Sequence, residues 1–175
     1  MKKQKLLVIL SAVVLSSVIF TSCKFYSFSG ASIAPTVRTF SVEYFPNRAR
    51  LVNPNLSQQF TDGLQEKLIK QTSLSQIQEN GDLEFSGQIT DYDVKPMNIQ
   101  EGDVAAQNRL TVSVKVKYTN NKNHDSDWEK SFSAYEDFNS NRSLTEVEDE
   151  LARAIIVKLT DDKRDIVTGK QKELD

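Results

Sequence analysis

Arg109-Leu110-Thr111-Val112-Ser113-Val114-Lys115-Val116-Lys117-Tyr118 alternates polar and apolar residues without a break, and this alternation decides the fold. Successive side chains of a strand point to opposite faces, so the run makes one apolar and one polar surface. An apolar surface must be covered, and neighbouring stretches show what shares it. Downstream, Trp128, Phe132 and Ala134 continue the pattern on a last strand, after a turn from Asn120 to Asp127 that carries the only histidine, His124. Upstream, Leu83, Phe85, Gly87 and Ile89 alternate with Glu84, Ser86, Gln88 and Thr90. Pro96 and Gly102 bracket a polar loop between those two strands.

Further toward the N-terminus, Phe40, Val42 and Tyr44 alternate with Thr39, Ser41 and Glu43, and Pro46 and Asn47 end that strand. A short strand around Leu74 to Gln78 leads into Asn80-Gly81-Asp82. This triplet is a hairpin signal, because Asn and Gly tolerate positive φ.

Two segments carry helical spacing instead. After Asn53-Pro54, an N-cap and first helical position, Leu56, Phe60, Leu64 and Leu68 recur every four residues with Ile69 beside them, to about Gln71. Ser143-Leu144-Thr145-Glu146 is a capping box, and Leu144, Val147, Leu151, Ile155 and Leu159 form a second stripe that extends toward Ile166. One-sided helices and a one-sided sheet predict a two-layer α+β sandwich: two amphipathic helices on one face of a four- to five-stranded mixed sheet. The opposite face runs from Thr39, Ser41 and Glu43 through Glu84 to Thr90 and Arg109 to Lys117, ending at Glu129, Ser131 and Ser133. It is hydroxyl-rich with scattered charge, and reads as a solvated face or as one docked in a polar, water-lined cavity.

Composition bounds the function. The chain has 175 residues, enough for one domain with tails, and more than a quarter of them are Leu, Ile, Val or Phe, enough for a core. One Cys and one His exclude a disulfide framework, the common zinc patterns and a multi-His metal centre. A net charge of -2 and pI near 5.5 lack the basic excess that nucleic-acid binding needs. No catalytic constellation is visible. His124 has no Ser or Cys nucleophile motif near it, Glu146, Glu148, Asp149 and Glu150 complement a helix dipole, and no glycine-rich phosphate loop occurs. The chain reads as a non-enzyme without a cofactor.

The first residues read as an address. Lys2, Lys3 and Lys5 precede an apolar run from Leu6 to Phe20, shorter than the roughly 20 residues that span a bilayer. Phe20-Thr21-Ser22-Cys23 then resembles the lipobox of bacterial lipoproteins, which implies a signal peptide over 1–22 and diacylglyceryl and acyl groups on Cys23. More than one acyl chain on one cysteine makes a stable anchor. Loss of the three lysines makes the remainder more acidic, so lipid rather than charge would hold it to a membrane. Lys24 after the cysteine is not acidic, which by the sorting rules of lipoproteins favours the outer membrane, and the absence of an acidic cluster argues for its periplasmic side. The expected organisation is a lipid-anchored segment over 23–37, one α+β domain over 38–167 and a charged tail over 168–175. Phe25, Tyr26 and Phe28 beside the anchor suit either a membrane interface or a cap on the core.

A resemblance adds what spacing cannot. The stretches 23–33 (CKFYSFSGASI), 44–49 (YFPNRA), 51–57 (LVNPNLS), 108–112 (NRLTV) and 131–138 (SFSAYEDF) resemble, in that order and behind that lipobox, the lipopolysaccharide-assembly lipoprotein family, LptE, in its Bacteroidetes form. The resemblance implies two helices on a small mixed sheet, no catalysis, and a place on the periplasmic side of the outer membrane. There the family plugs a large β-barrel partner, LptD, and helps that barrel assemble and pass lipopolysaccharide outward. From the residues themselves, Arg48, Arg50, Arg109, Lys115 and Lys117 are candidate contacts for lipid A phosphates or the partner, because arginine forks match phosphate geometry. The competing classes are a generic envelope scaffold or binding lipoprotein with another protein partner, and a small hydrolase.

Overall fold

β-Branched and aromatic residues at alternate positions build the sheet, and the computed structural model describes residues 33–51, 53–97 and 106–160. The strands are β1 (Thr39–Val42), β2 (Ser75–Gln76), β3 (Leu83–Met97), β4 (Gln107–Asn120) and β5 (Trp128–Asn139). The helices are α1 (Leu56–Gln71) and α2 (Leu144–Thr160). Spatial order is β2-β1-β3-β4-β5, with β1 parallel to both neighbours and the β3, β4 and β5 pairings antiparallel. This is the expected α+β arrangement, two helices packed on a five-stranded mixed sheet. The expected signal peptide, Cys23, the aromatics that follow it, residues 98–105 with Gly102 of the expected loop, Ile166 and the expected charged tail lie outside the described residues.

One core joins the layers. Phe40, Phe85, Ile89, Leu110, Val114 and Val116 of the sheet meet Leu56, Phe60, Leu64 and Leu68 of α1 and Leu151, Ile155 and Leu159 of α2. Each such fully buried side chain contributes about 1.5–3 kcal/mol. The helices approach closely where α1 has a glycine: a Cβ on Gly63 would lie 2.7 Å from Ile156 Cγ2. At the start of α2, the Ser143 N–H donates to the Glu146 carboxylate, the returning half of the capping box. A buried tyrosine, Tyr92 of β3, donates its hydroxyl to Glu148 of α2. Burial first, and then that carboxylate, push the Tyr92 phenol well above its ordinary range.

Several local expectations are corrected. The inward aromatic after β1 is Phe45, not Tyr44: Tyr44 is 55% exposed, whereas Phe45 is fully buried edge-on to Phe60 at 5.0 Å. Irregular backbone after Val42 shifts the phase, and Gly87 makes room, since a Cβ there would come within 2.8 Å of Phe45 Cε1. Asn53 does not cap α1. Its Oδ1 instead accepts from Asn55 N at 2.8 Å in a turn that leaves Asn55 as the N-cap residue. Ile69 lies off the stripe and is 53% exposed.

Asn80-Gly81-Asp82 is not a hairpin, because β1 lies between β2 and β3. Asn80 does take φ 58°, as the signal requires, but the segment crosses the outer face of β1. Gly81 N donates to Ser41 Oγ at 3.1 Å and the glycine sits on the strand, where a Cβ would be 2.5 Å from Ser41 N. Ser41, expected on an open polar face, is therefore buried. Pro96, expected in a loop, is in β3 opposite Asn108. A register shift between Ile89 and Asp91 flips the alternation, so Tyr92 rather than an odd-numbered residue returns to the core.

Asp82 ties this end of the sheet together. Its Oδ2 accepts from the N–H groups of Arg38 at 2.8 Å and Thr39 at 3.1 Å, and Lys122 reaches Oδ1 at 2.9 Å. Those contacts, the Arg38 N–H first, hold its carboxyl well below the usual range. Asn121 of the β4–β5 turn joins by donating to Gly81 O at 2.7 Å.

Candidate functional site: the polar face of the sheet

Side chains that alternate with the core residues of β3, β4 and β5 form the face turned away from the helices. Register aligns them in rows: Ser86, Lys117 and Glu129; Gln88, Lys115 and Ser131; Asp91, Ser113 and Ser133; Asp93, Thr111 and Tyr135; Lys95, Arg109 and Asp137. Cross-strand neighbours of opposite charge stabilise such rows. Here two cross-strand pairs and one pair within β3 neutralise most of the cations. Arg109 grips Asp137 bidentately, Nε to Oδ1 at 2.7 Å and Nη2 to Oδ2 at 2.8 Å, and its guanidinium carbon lies 3.7 Å from the centre of the Tyr135 ring. The pairing holds the Asp137 carboxyl below its usual range and raises Arg109. Lys115 pairs with Glu129, and Lys95 with Asp93 at 3.1 Å. Between these charges Ser113 donates to Ser133 at 3.2 Å.

The five candidate basic residues do not form one cluster. Lys115 and Lys117 share the polar face of β4, two positions apart. Arg109 is on the same face but six positions from Lys115, about 20 Å along the strand. Arg48 and Arg50 are exposed on the connection between β1 and α1, where Arg48 N donates to Ile89 O at 2.9 Å. Among the described residues neither arginine makes an ion pair, and nor does Lys117. Tyr135, Asp137, Asp91, Asp93 and Lys95 of this face were missed in the sequence. Tyr135 and Asp137 keep the parity of Ser131 and Ser133, so extending β5 would have found them. Asp91, Asp93 and Lys95 were hidden by the bulge.

His124 belongs to the turn. Its Nδ1 lies 3.0 Å from Asp127 Oδ2, while Asp127 also accepts from Asn120 N at 2.7 Å. That backbone N–H first, and His124 second, hold the Asp127 carboxyl below its usual range. Among the described residues no three His, Cys, Asp or Glu side chains converge to hold a metal, and no helix is long and apolar enough to cross a membrane.

A mixed sheet with two helices on one side and a hydroxyl-rich, charge-paired other side is matched over residues 37–163 by the sequence profile of LptE, described as lipopolysaccharide assembly. The chain belongs to the LptE family. LptE proteins are non-catalytic, and the family places the chain in lipopolysaccharide assembly. No curated protein matches the sequence. Solved structures similar to this member include a minor lipoprotein from Acinetobacter baumannii, at 13% identity over 71% of this chain and 87% of that one, TM-score 0.45. The PelC dodecamer from Paraburkholderia phytofirmans is 16% identical over 75% and 91%, TM-score 0.45. A lipoprotein from Neisseria meningitidis is 14% identical over 69% and 96%, TM-score 0.42.

Proposed function

We propose that this LptE protein, of the Bacteroidetes form, is anchored by lipid on Cys23 to the periplasmic side of the outer membrane. There it plugs and helps assemble an LptD-type β-barrel through which lipopolysaccharide reaches the outer leaflet. Family membership over residues 37–163 carries the reading. The polar sheet face supports it, because the interior of a wide barrel is polar and hydrated.

Within this reading the basic residues divide by availability. A phosphate reaching Arg109 or Lys115 must compete with Asp137 or Glu129, whereas Arg48, Arg50 and Lys117 offer charge without breaking an ion pair. The first two are the stronger candidates for lipid A phosphate, since the guanidinium fork matches its oxygens.

Gentle detergent extraction of outer membranes carrying a C-terminally tagged copy tests the function. The expected result is a large β-barrel recovered in stoichiometric amount and identified as LptD-type. Recovery of the lipoprotein alone, under conditions that keep other barrel complexes intact, would leave a generic envelope scaffold. For the phosphate contacts, Arg48→Ala with Arg50→Ala is expected to weaken binding of purified lipopolysaccharide at least fivefold; unchanged binding sinks that assignment.

A further inference from the structure

Asn80-Gly81 is the one Asn-Gly pair in the chain, and the fold demands each half for a different reason. Asn80 takes φ 58°, a left-handed conformation that asparagine tolerates better than most residues. Gly81 lies against β1, where a Cβ would fall 2.5 Å from Ser41 N and 2.6 Å from Phe40 C, so packing admits no side chain there. Together these demands create the dipeptide most prone to self-modification. The backbone nitrogen after an asparagine can attack that residue's side-chain amide, and a following glycine leaves the approach unhindered.

The structure treats the two reacting groups differently. Asn80 is exposed, its side chain open to water. Gly81 is buried: its N–H donates to Ser41 Oγ at 3.1 Å, and its carbonyl accepts from Asn121 Nδ2 at 2.7 Å. The next residue is fixed as well, with Asp82 N donating to Thr39 Oγ1 at 3.0 Å. Ring closure requires the Gly81 nitrogen to lose its proton and turn toward Asn80 Cγ. While the segment lies on β1, that proton is engaged and the residue is tied on both sides.

We propose that Asn80-Gly81 is a spontaneous deamidation site, locked by Ser41 and Asn121 and opened when the segment lifts from β1 in a local opening. In the open state hydroxide takes the Gly81 N–H proton and the nitrogen bonds to Asn80 Cγ. The Cγ–Nδ2 bond then breaks, and Nδ2 leaves as ammonia with a proton from water. Water next opens the succinimide at either carbonyl, leaving aspartate or isoaspartate. Isoaspartate routes the main chain through its own side-chain carbons and lengthens it by one atom. Gly81 then no longer reaches its place on Ser41, so a copy that lingers open is changed one way.

Peptide mapping by mass spectrometry at mildly alkaline pH tests this, with an isoaspartyl methyltransferase to count isoaspartate. Asn80 of the folded protein is expected to convert at least tenfold more slowly than in the urea-unfolded chain. Ser41→Ala and Asn121→Ala are each expected to speed conversion in the folded protein roughly fivefold by easing local opening, whereas Gly63→Ala, which loosens the contact between α1 and α2, leaves the rate unchanged. A folded parent that converts as fast as the unfolded chain has no lock, and the proposal falls. It falls as well if neither Ser41→Ala nor Asn121→Ala changes the rate, or if Gly63→Ala raises it equally, since the route is then global unfolding. Should Ser41→Ala fail to fold, Asn121→Ala alone decides. The isoaspartate fraction, isolated by ion exchange, is expected to have a lower urea midpoint than the parent; an equal midpoint overturns the one-way step.

Discussion

Asp82 shows how a single side chain sets a pH dependence. Its carboxylate is held below the ordinary range by the Arg38 N–H and by Lys122, so the folded state binds a proton less readily than the unfolded chain. Stability from a depressed carboxyl is fully present above the unfolded value, near 4, and is lost as pH falls from there toward the folded one. Asp82→Asn is therefore expected to lower the urea midpoint clearly at pH 7, with a smaller difference from the parent at pH 3. Equal differences at both would contradict it. Gly87 is the second residue whose identity matters. Its φ is +154° and an added Cβ would meet Lys115 O at 2.0 Å, so Gly87→Ala forces strand separation as well as strain. A loss of about 3 kcal/mol in chemical denaturation is expected.

At the scale of elements, the contact between α1 and α2 reverses a normal rule. Glycine inside an exposed helix costs about 1 kcal/mol relative to alanine, so Gly63→Ala would ordinarily stabilise. Here the new methyl meets Ile156 Cγ2 at 2.7 Å, and the substitution is expected to destabilise. In an Ile156→Ala background, where that methyl is gone, the same change is expected to stabilise by up to about 1 kcal/mol, a change of sign that a double-mutant cycle reads directly. Elements also show where the sequence was legible. The β4 alternation and both helical stripes are local and one-phased, so their faces could be read from spacing alone. Where phase changes within an element, spacing misleads: the bulge after Ile89 shortened β3 in the sequence reading, and irregular backbone after Val42 exchanged Tyr44 for Phe45. Asn80-Gly81-Asp82 was read by its turn chemistry, which is real, but its destination depends on β1, some forty residues earlier in the chain. The polar rows on β4 followed from alternation, whereas the pairing of Arg109 with Asp137 needed the register of β5.

At the scale of the folded domain, one continuous core joins the sheet and both helices among the described residues. Unfolding is expected to be a single transition. Trp128, the only tryptophan, is half-buried and stacked on Tyr118 at 5.4 Å near the start of β5, far from α1 across the sheet. Its fluorescence and the far-ultraviolet circular dichroism should therefore share one denaturation midpoint, and separated midpoints would show two cores. Membrane attachment is a separate matter, because the expected anchor precedes the domain. Cys23→Ala is expected to abolish labelling by a radioactive fatty acid and to move the protein to the soluble fraction without altering that midpoint.

The segment that lies across β1 also imposes an order of assembly. A ribosome delivers β1 first, yet both its neighbours and the turn that seals Ser41 arrive more than thirty residues later. Until then Phe40 and Val42 have no sheet to join, and early synthesis leaves a sticky strand waiting. Contacts this distant along the chain are slow to form, because loop closure must precede their reward. Asp82 then closes the segment on the backbone of Arg38, just before β1. A half-folded copy would thus advertise itself at the open edges of β1, and a chaperone that guards exposed strands would find its handle there.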